Sequence, residues 1–189
     1  MKTGLFIPLL FMVFSVAWSA QPTVLIVYHS ETGNTEMMAK AVQEGASQVE
    51  NVHVILKTVA DATTEDLLNA DAIIVGSPVY NANVSPPVSE FIASWPFEEQ
   101  PLKGKLGAAF VTAGGVSSGE ELTQMNILQS MLIFNMIVMG GPDWSMPFGA
   151  SGIRGDDFFP YEEEMHPGFL KKGEALGRRV AETAKKMFD

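Results

Sequence analysis

The sequence predicts an α/β domain in which a parallel sheet of five strands is covered by helices on both faces. Three observations carry that expectation. Five short apolar runs alternate with five helical patterns along the chain. The runs Thr23 to Tyr28 and Asp71 to Gly76 are apolar through their centres rather than at every second position, as strands buried on both faces are. The segments after the first, third and fourth runs are all rich in small or polar residues, at the sheet edge where such folds bind ligands.

The elements follow in order. Thr23 to Tyr28 is the first strand. Thr35 to Val49 then carries Met37, Met38, Ala41, Val42 and Ala46 at helical spacing. His53 to Thr58 alternates as the second strand. Thr63 to Ala70 is a short helix with Thr63 and Asp66 at capping-box spacing. Asp71 to Gly76 is the third strand. Ser85 caps a helix opened by Pro86, a residue suited to the first helical position. Leu106 to Val111 is the fourth strand, and Ser118 with Glu121 forms a capping box for a long helix to Phe134. That helix is apolar nearly all round, so it is expected to be deeply packed. Met136 to Met139 is the fifth strand, and His166 or Pro167 to Phe188 is a closing amphipathic helix. The stretch from Gly140 to Met165 has no pattern of its own. A loop that long in a compact domain is usually functional.

The chain has 189 residues, 47% of them hydrophobic, so one domain with a full core is expected. Its first twenty residues stand apart: Lys2 gives a positive start, Leu5 to Val16 an apolar run, and Ala17-Trp18-Ser19-Ala20 a small-residue end. This is the pattern of a secretory signal peptide, leaving residues 21–189 as the domain. Cleavage after Ser19 places Ala17 at the −3 position, whereas cleavage after Ala20 would place bulky Trp18 there. The alternative is an uncleaved membrane anchor, for which the apolar run is short. Export, to the periplasm, is the expectation, with no integral membrane span after processing.

Zero cysteines exclude disulfides, thiol nucleophiles and iron–sulfur ligation. The net charge is −10, and loss of Lys2 with the leader would leave 11 basic against 22 acidic residues. So acidic a surface disfavours nucleic acid and anionic membranes and suits a basic redox partner.

The most informative stretch is the first strand, the loop Ser30-Glu31-Thr32-Gly33-Asn34-Thr35, and the helix it opens. Hydroxyls, a glycine and backbone N–H groups meet there at the positive end of a helix, which suits a phosphate. The loop holds no Lys or Arg, lacks the Gly-Lys-Ser/Thr of a Walker loop, and contains no G-x-G-x-x-G. A phosphate held by neutral hydroxyls and amides alone suits a small cofactor monoester rather than ATP. Gly76 to Asn83 after the third strand and Thr112 to Gly119 after the fourth let backbone groups approach a flat ring edge-on. Together the three segments predict a cofactor crevice.

The S-x-T-G-N-T loop, the G-S-P-x-Y segment and the T-x-G-G segment resemble those of flavodoxin-like FMN proteins, over Thr23 to Asp189. The nearest branch is the Trp-repressor-binding-protein-like NAD(P)H:quinone oxidoreductases. The resemblance implies a flavodoxin-like three-layer sandwich with strand order 2-1-3-4-5 and FMN as cofactor. It implies that Ser30, Thr32, Asn34 and Thr35 hold the phosphate, with Gly33 permitting close approach. Pro78, Val79, Tyr80 and Asn81 would then line the isoalloxazine, and Thr112, Ala113 and Gly114 its pyrimidine side and ribityl chain. By the same resemblance the activity is reduction of a quinone or similar small-molecule electron acceptor. The alternatives are an exported electron carrier docking a redox protein, and a relative that has lost its flavin, which the complete phosphate loop argues against.

The chain departs from the family in two places. The third loop has no aromatic, so one flavin face would be open unless Trp144 or a neighbouring subunit of a homo-oligomer covers it. The quinone reductases carry a histidine near the end of the fourth helix, where this chain has Ile133 and Phe134. Other singled-out residues have plainer readings. Trp144 is weighted toward packing, Trp95 packs at a helix end, and His29 is structural. His166 is a solvated helix start, Glu162 to Glu164 a solvated face, and Met125, Met131, Met136 and Met139 core filling.

Overall fold

The computed structural model describes residues 21–161 and 164–189. The signal-peptide expectation for residues 1–20 and the placement of Glu162 and Glu163 lie outside them. Among the described residues no helix is long and apolar enough to cross a membrane.

In chain order the elements are β1 (Thr23–Tyr28), α1 (Asn34–Ser47), β2 (His53–Thr58), α2 (Thr64–Asn69), β3 (Ala72–Tyr80), β4 (Asn83–Val84), α3 (Pro86–Ala93), β5 (Leu106–Ala113), α4 (Glu120–Ile133), β6 (Ile137–Val138), β7 (Ala150–Ile153) and α5 (Pro167–Phe188). The main path of the sheet is β2-β1-β3-β5-β6, parallel throughout. This is the expected 2-1-3-4-5 order, with two additions that bring the sheet to seven strands. β4 folds back antiparallel on the end of β3, and β7 runs parallel to the C-terminal half of β5.

The fifth position is therefore shared by two strands. β6 pairs Leu106 and Gly107, β7 pairs Phe110 to Ala113, and residues 139–149 make an excursion between them. The expected strand Met136 to Met139 shrinks to two residues because Gly140-Gly141-Pro142 cannot continue a ladder. Instead the Gly141 N–H donates to the Met146 carbonyl at 2.8 Å, and Met146 turns inward to fill the core. A Cβ on Gly140 would lie 1.9 Å from the Pro147 carbonyl oxygen, so the excursion closes only over glycine.

Side-chain parity on the strands builds two cores. Val24 and Ile26 of β1 and Ile74 of β3 face α1 and α5 with Met38, Val42, Leu176 and Val180. Leu25, Val27, Ile73 and Val75 face the other way onto Leu67, Val88, Phe91, Ile127 and Met131 of α2, α3 and α4. Trp95 is buried at the end of α3, its ring centroid 5.8 Å from Phe91 and 5.3 Å from Phe134. Met131 and Met136 are buried in the core, and Met125 and Met139 pack against it. α1 and α5 approach through glycines: a Cβ on Gly177 would sit 1.9 Å from the Val42 carbonyl oxygen, and one on Gly45 1.8 Å from that of Glu174.

Three local expectations are corrected. α4 is not packed all round: Ile127 and Met131 are buried, but Leu122, Leu132 and Ile133 are exposed. The Ser118–Glu121 capping box does not form, because Gly119, at φ +99°, is the N-cap and the Ser118 hydroxyl donates to the Gly115 carbonyl at 2.6 Å. Ser85 is the N-cap of α3 by position only; its hydroxyl meets that of Ser77 at 3.2 Å instead of capping the helix. The Thr63–Asp66 box does form, with Asp66 N–H donating to Thr63 Oγ1 at 3.2 Å and Thr63 N–H to Asp66 Oδ2 at 2.7 Å.

Candidate functional site

Parallel strands deliver their following loops to one edge of the sheet. After β1, Gly33 adopts φ +85° as the N-cap of α1, and Ser30 Oγ accepts the Gly33 N–H at 3.1 Å, folding the loop on itself. The first-turn N–H groups of α1 have no intrahelical acceptor, so this end is a ready anion site. A Cβ on Gly33 would meet nothing within 4 Å, which leaves the backbone open to a close-approaching group. Thr35 and Thr112 reach toward each other from α1 and β5, their hydroxyl oxygens 2.8 Å apart. Both are buried, at 1% and 3% exposure.

The second segment differs from the expected loop. β3 continues through Ser77, Pro78, Val79 and Tyr80, then turns through Asn81 and Ala82, at φ 52° and 60°, into β4. Two successive left-handed residues are what a tight hairpin turn with the native twist requires. The turn rests on Gly119, where a Cβ would lie 2.5 Å from that of Ala82. At its base, Ser77 Oγ accepts the Ser85 N–H at 3.0 Å.

Between these segments lies a crevice of about 100 Å³. Thr32, Asn34, Thr35, Pro78, Val79, Tyr80, Thr112, Ala113 and Gly114, all expected from the sequence, line it together with Glu31 and Tyr161. Ser30 and Gly33 stand in the adjoining loop, and Asn81 sits at the hairpin tip, outside the lining. Burial and then a hydrogen bond to the Glu31 carboxylate push the Tyr80 hydroxyl pKa up, so Tyr80 stays a neutral donor. A larger groove, about 510 Å³, runs between α3 and α4, lined by Ser89, Ile92, Asn126, Ser130, Ile133 and Phe134 among others. It holds no titratable group, and the phosphate loop does not reach it.

Three residues of the site escaped sequence reading, and all follow β7. Arg154 stands beside α1: its N–H donates to the Ala113 carbonyl at 3.1 Å, and its Nη1 donates to Asn34 Oδ1 at 2.8 Å. Asn34 Nδ2 returns a bond to the Arg154 carbonyl at 3.3 Å. Asp156 accepts the Val116, Phe158 and Phe159 N–H groups at 3.0, 3.0 and 2.8 Å, tying the third loop to this segment. Those amides, Val116 first, lower its carboxyl pKa. Tyr161 then enters the crevice, its ring 5.6 Å from the Arg154 guanidinium carbon and its carbonyl bonded to Arg154 Nη2. Recognising β7 would have pointed to Arg154, but Ala-Ser-Gly-Ile is too short and too rich in small residues to announce a strand.

The remaining candidates fall outside the crevice. Trp144 is 89% exposed, so the expectation that it packs is corrected, and it does not line the crevice either. His29 is half-buried, its Nε2 3.6 Å from Glu31 Oε1 and its N–H bonded to the Gly76 carbonyl. His166 is the N-cap of α5, accepting the Gly168 N–H at 3.1 Å through Nδ1.

The donor set fits FMN at its phosphate end: buried hydroxyls, open N–H groups and space over Gly33. At the ring end the crevice is smaller than the roughly 300–1,000 Å³ of small-molecule sites. Tyr161, exposed at the mouth, is one of the side chains that line it there.

Comparison with known proteins agrees with this geometry. Residues 22–151 match the family model described as NADPH-dependent FMN reductase. The chain is 36% identical over 169 residues to a flavodoxin of Aquifex aeolicus, covering 84% of this chain and 85% of that one. It is 32% identical over 200 residues to an NAD(P)H dehydrogenase (quinone) of Afipia carboxidovorans, covering 87% and 98%. Among solved structures, a flavodoxin from the domain Archaea superposes with a TM-score of 0.66 at 26% identity, covering 86% and 99%. A flavodoxin, WrbA-like protein from Agrobacterium tumefaciens shares the fold with a TM-score of 0.71 at 24% identity, covering 87% and 98%. The chain belongs to the NADPH-dependent FMN reductase family and is a flavodoxin-like, FMN-binding oxidoreductase.

Proposed function

We propose that the crevice at the N-terminus of α1 holds FMN, and that the protein passes electrons from it to a quinone or similar small acceptor. The observation that carries this reading is the buried Thr35–Thr112 pair, which locks the phosphate loop to the third loop where the first-turn amides of α1 converge. Ser30, Thr32, Gly33, Asn34 and Thr35 take the phosphate end. Pro78, Val79 and Tyr80 form one wall, with Asn81 at its rim, and Thr112, Ala113 and Gly114 form the opposite edge. FMN, when bound, supplies one- and two-electron redox chemistry. The chain's own groups set access and polarity: Tyr80 presents a neutral hydroxyl, Tyr161 narrows the mouth, and Glu31 adds negative charge at the rim. Resemblance to curated quinone dehydrogenases supports the reductase reading. The alternative, an electron carrier docking a redox protein, is supported by the curated flavodoxins and by an aromatic, Tyr161, supplied to the crevice as a second wall.

Anaerobic titration of FMN-loaded protein separates these readings. Bleaching by NADPH or NADH followed by reoxidation with benzoquinone supports the reductase. Reduction by dithionite alone supports the carrier, and absence of a bound flavin band refutes both. We further propose that residues 1–20 export the chain to the periplasm, with cleavage after Ser19 or Ala20, on the strength of their charge and apolar pattern. Mass spectrometry of the envelope-fraction protein tests this: an intact Met1 would indicate an anchor instead.

A further inference from the structure

We infer that the solvent face of α4 is where this chain pairs with a second copy of itself, the two helices lying antiparallel across a two-fold axis. α4 carries more apolar surface than the core takes. Ile127 and Met131 are buried, while Leu122, Leu132 and Ile133 are each more than half exposed. Leu122, Met125, Gln129 and Leu132 recur at intervals of three, four and three residues. That is the spacing of a seam along which one helix packs on another. Ile133 adjoins the seam, and Gln129, exposed to solvent, is its polar member.

Charge identifies the occupant. The chain has a net charge of −10, yet residues 122–142 contain no Asp, Glu, Lys, Arg or His. The groove alongside, between α3 and α4, is also lined without a charged side chain. Two copies of so acidic a chain repel each other in most orientations, and on this face the repulsion is least. A basic protein would be drawn to carboxylates, which the face does not offer. Lipid would leave Asn126 and Gln129 unpaired in its middle, whereas each amide can both donate to and accept from an amide of a second copy. A two-fold axis makes such a contact self-complementary and closed. Parallel helices would bring Glu120 and Glu121 of both copies together. Antiparallel ones separate those carboxylates and set Leu122 against Leu132 and Ile133.

Because the chain contains no cysteine, a single introduced thiol reports position without background. Gln129→Cys, in the middle of the seam, and Glu182→Cys, exposed on α5, are compared by cross-linking the full chain with a short bismaleimide. Gln129→Cys is expected to give a covalent dimer and Glu182→Cys little. Leu132→Glu alters a side chain that is exposed within one copy, so it is expected to keep the fold and to abolish the Gln129→Cys product. In sedimentation it should weaken dimerisation roughly a hundredfold or more, the scale of one buried unpaired charge. Met187→Glu, at an exposed position on α5, should leave dimerisation unchanged. Added salt is expected to strengthen the wild-type dimer by screening its like charges; weakening by salt would place the contact on ion pairs elsewhere and overturn the inference. A monomeric wild type overturns it too, including one that binds phosphatidylcholine vesicles instead. So does equal cross-linking at the two positions, as association through residues 1–20 would give, or a dimer indifferent to Leu132→Glu. Should Leu132→Glu not fold, Leu122→Glu is read the same way.

Discussion

Replacing Thr112 by Val removes one hydroxyl from a pair whose oxygens are 2.8 Å apart and almost wholly inaccessible to water. The shape of the side chain is kept, so little cavity forms. The Thr35 hydroxyl, however, loses its partner in a buried place. That costs about 1–3 kcal/mol, or roughly 4–8 °C in Tm for a loss of about 2 kcal/mol in a domain of this size. Thr35→Val is expected to cost a similar amount for the same reason. The double variant removes both polar groups together, so its loss should be under about 1 kcal/mol, far below the sum of the singles. Urea unfolding of the four flavin-free proteins, with the slope m checked for constancy, measures the cycle. If the double variant loses as much as the two singles added together, the hydroxyls do not act as a unit and the lock between phosphate loop and third loop is wrong. FMN affinity gives an independent reading, because the double variant should fold yet bind FMN more weakly than wild type.

Other outcomes follow from the same geometry. Gly177→Ala should destabilise by about 1–3 kcal/mol or more, as its Cβ would meet the Val42 carbonyl oxygen at 1.9 Å and force α5 off α1; thermal melting reads this directly. Asp66 is held at about 2, first by its hydrogen bond to Lys57, so its folded pKa lies below the ordinary carboxylate value of about 3.9. Its contribution is then fully present above pH ~4 and lost as pH falls toward ~2; the Tm gap between wild type and Asp66→Asn should close across that window. Tyr161→Ala should speed FMN uptake, measured by stopped-flow quenching, because the ring narrows a crevice of only about 100 Å³. An unchanged association rate would show that Tyr161 does not gate the mouth.

Much of this site could be read from sequence because its parts are local. The strand Thr23–Tyr28, the loop with Gly33 and the helix from Asn34 are contiguous, and their chemistry survives without knowledge of tertiary structure. The crevice lining after β3 and β5 was legible because parallel topology fixes where those strands end. What was missed depends on long-range pairing. β7 is a strand only because β5 offers it a partner, and that pairing brings Arg154 beside Asn34 and Tyr161 to the crevice. The hairpin at Asn81-Ala82 was hidden for a different reason: Ala at a left-handed turn position is not a turn signal. Trp144 carried the strongest aromatic signal in the patternless stretch, yet Tyr161 is the residue placed at the crevice. On α4, apolar composition exceeded what the core could cover, leaving Leu132 and Ile133 in solvent.

The most direct test of FMN binding at the α1 N-terminus is an amide-resolved NMR titration of the isotope-labelled chain with FMN. The largest shifts are expected at Gly33, Asn34, Thr35, Gly114 and Arg154. No shifts, or shifts confined to the groove between α3 and α4, would contradict it.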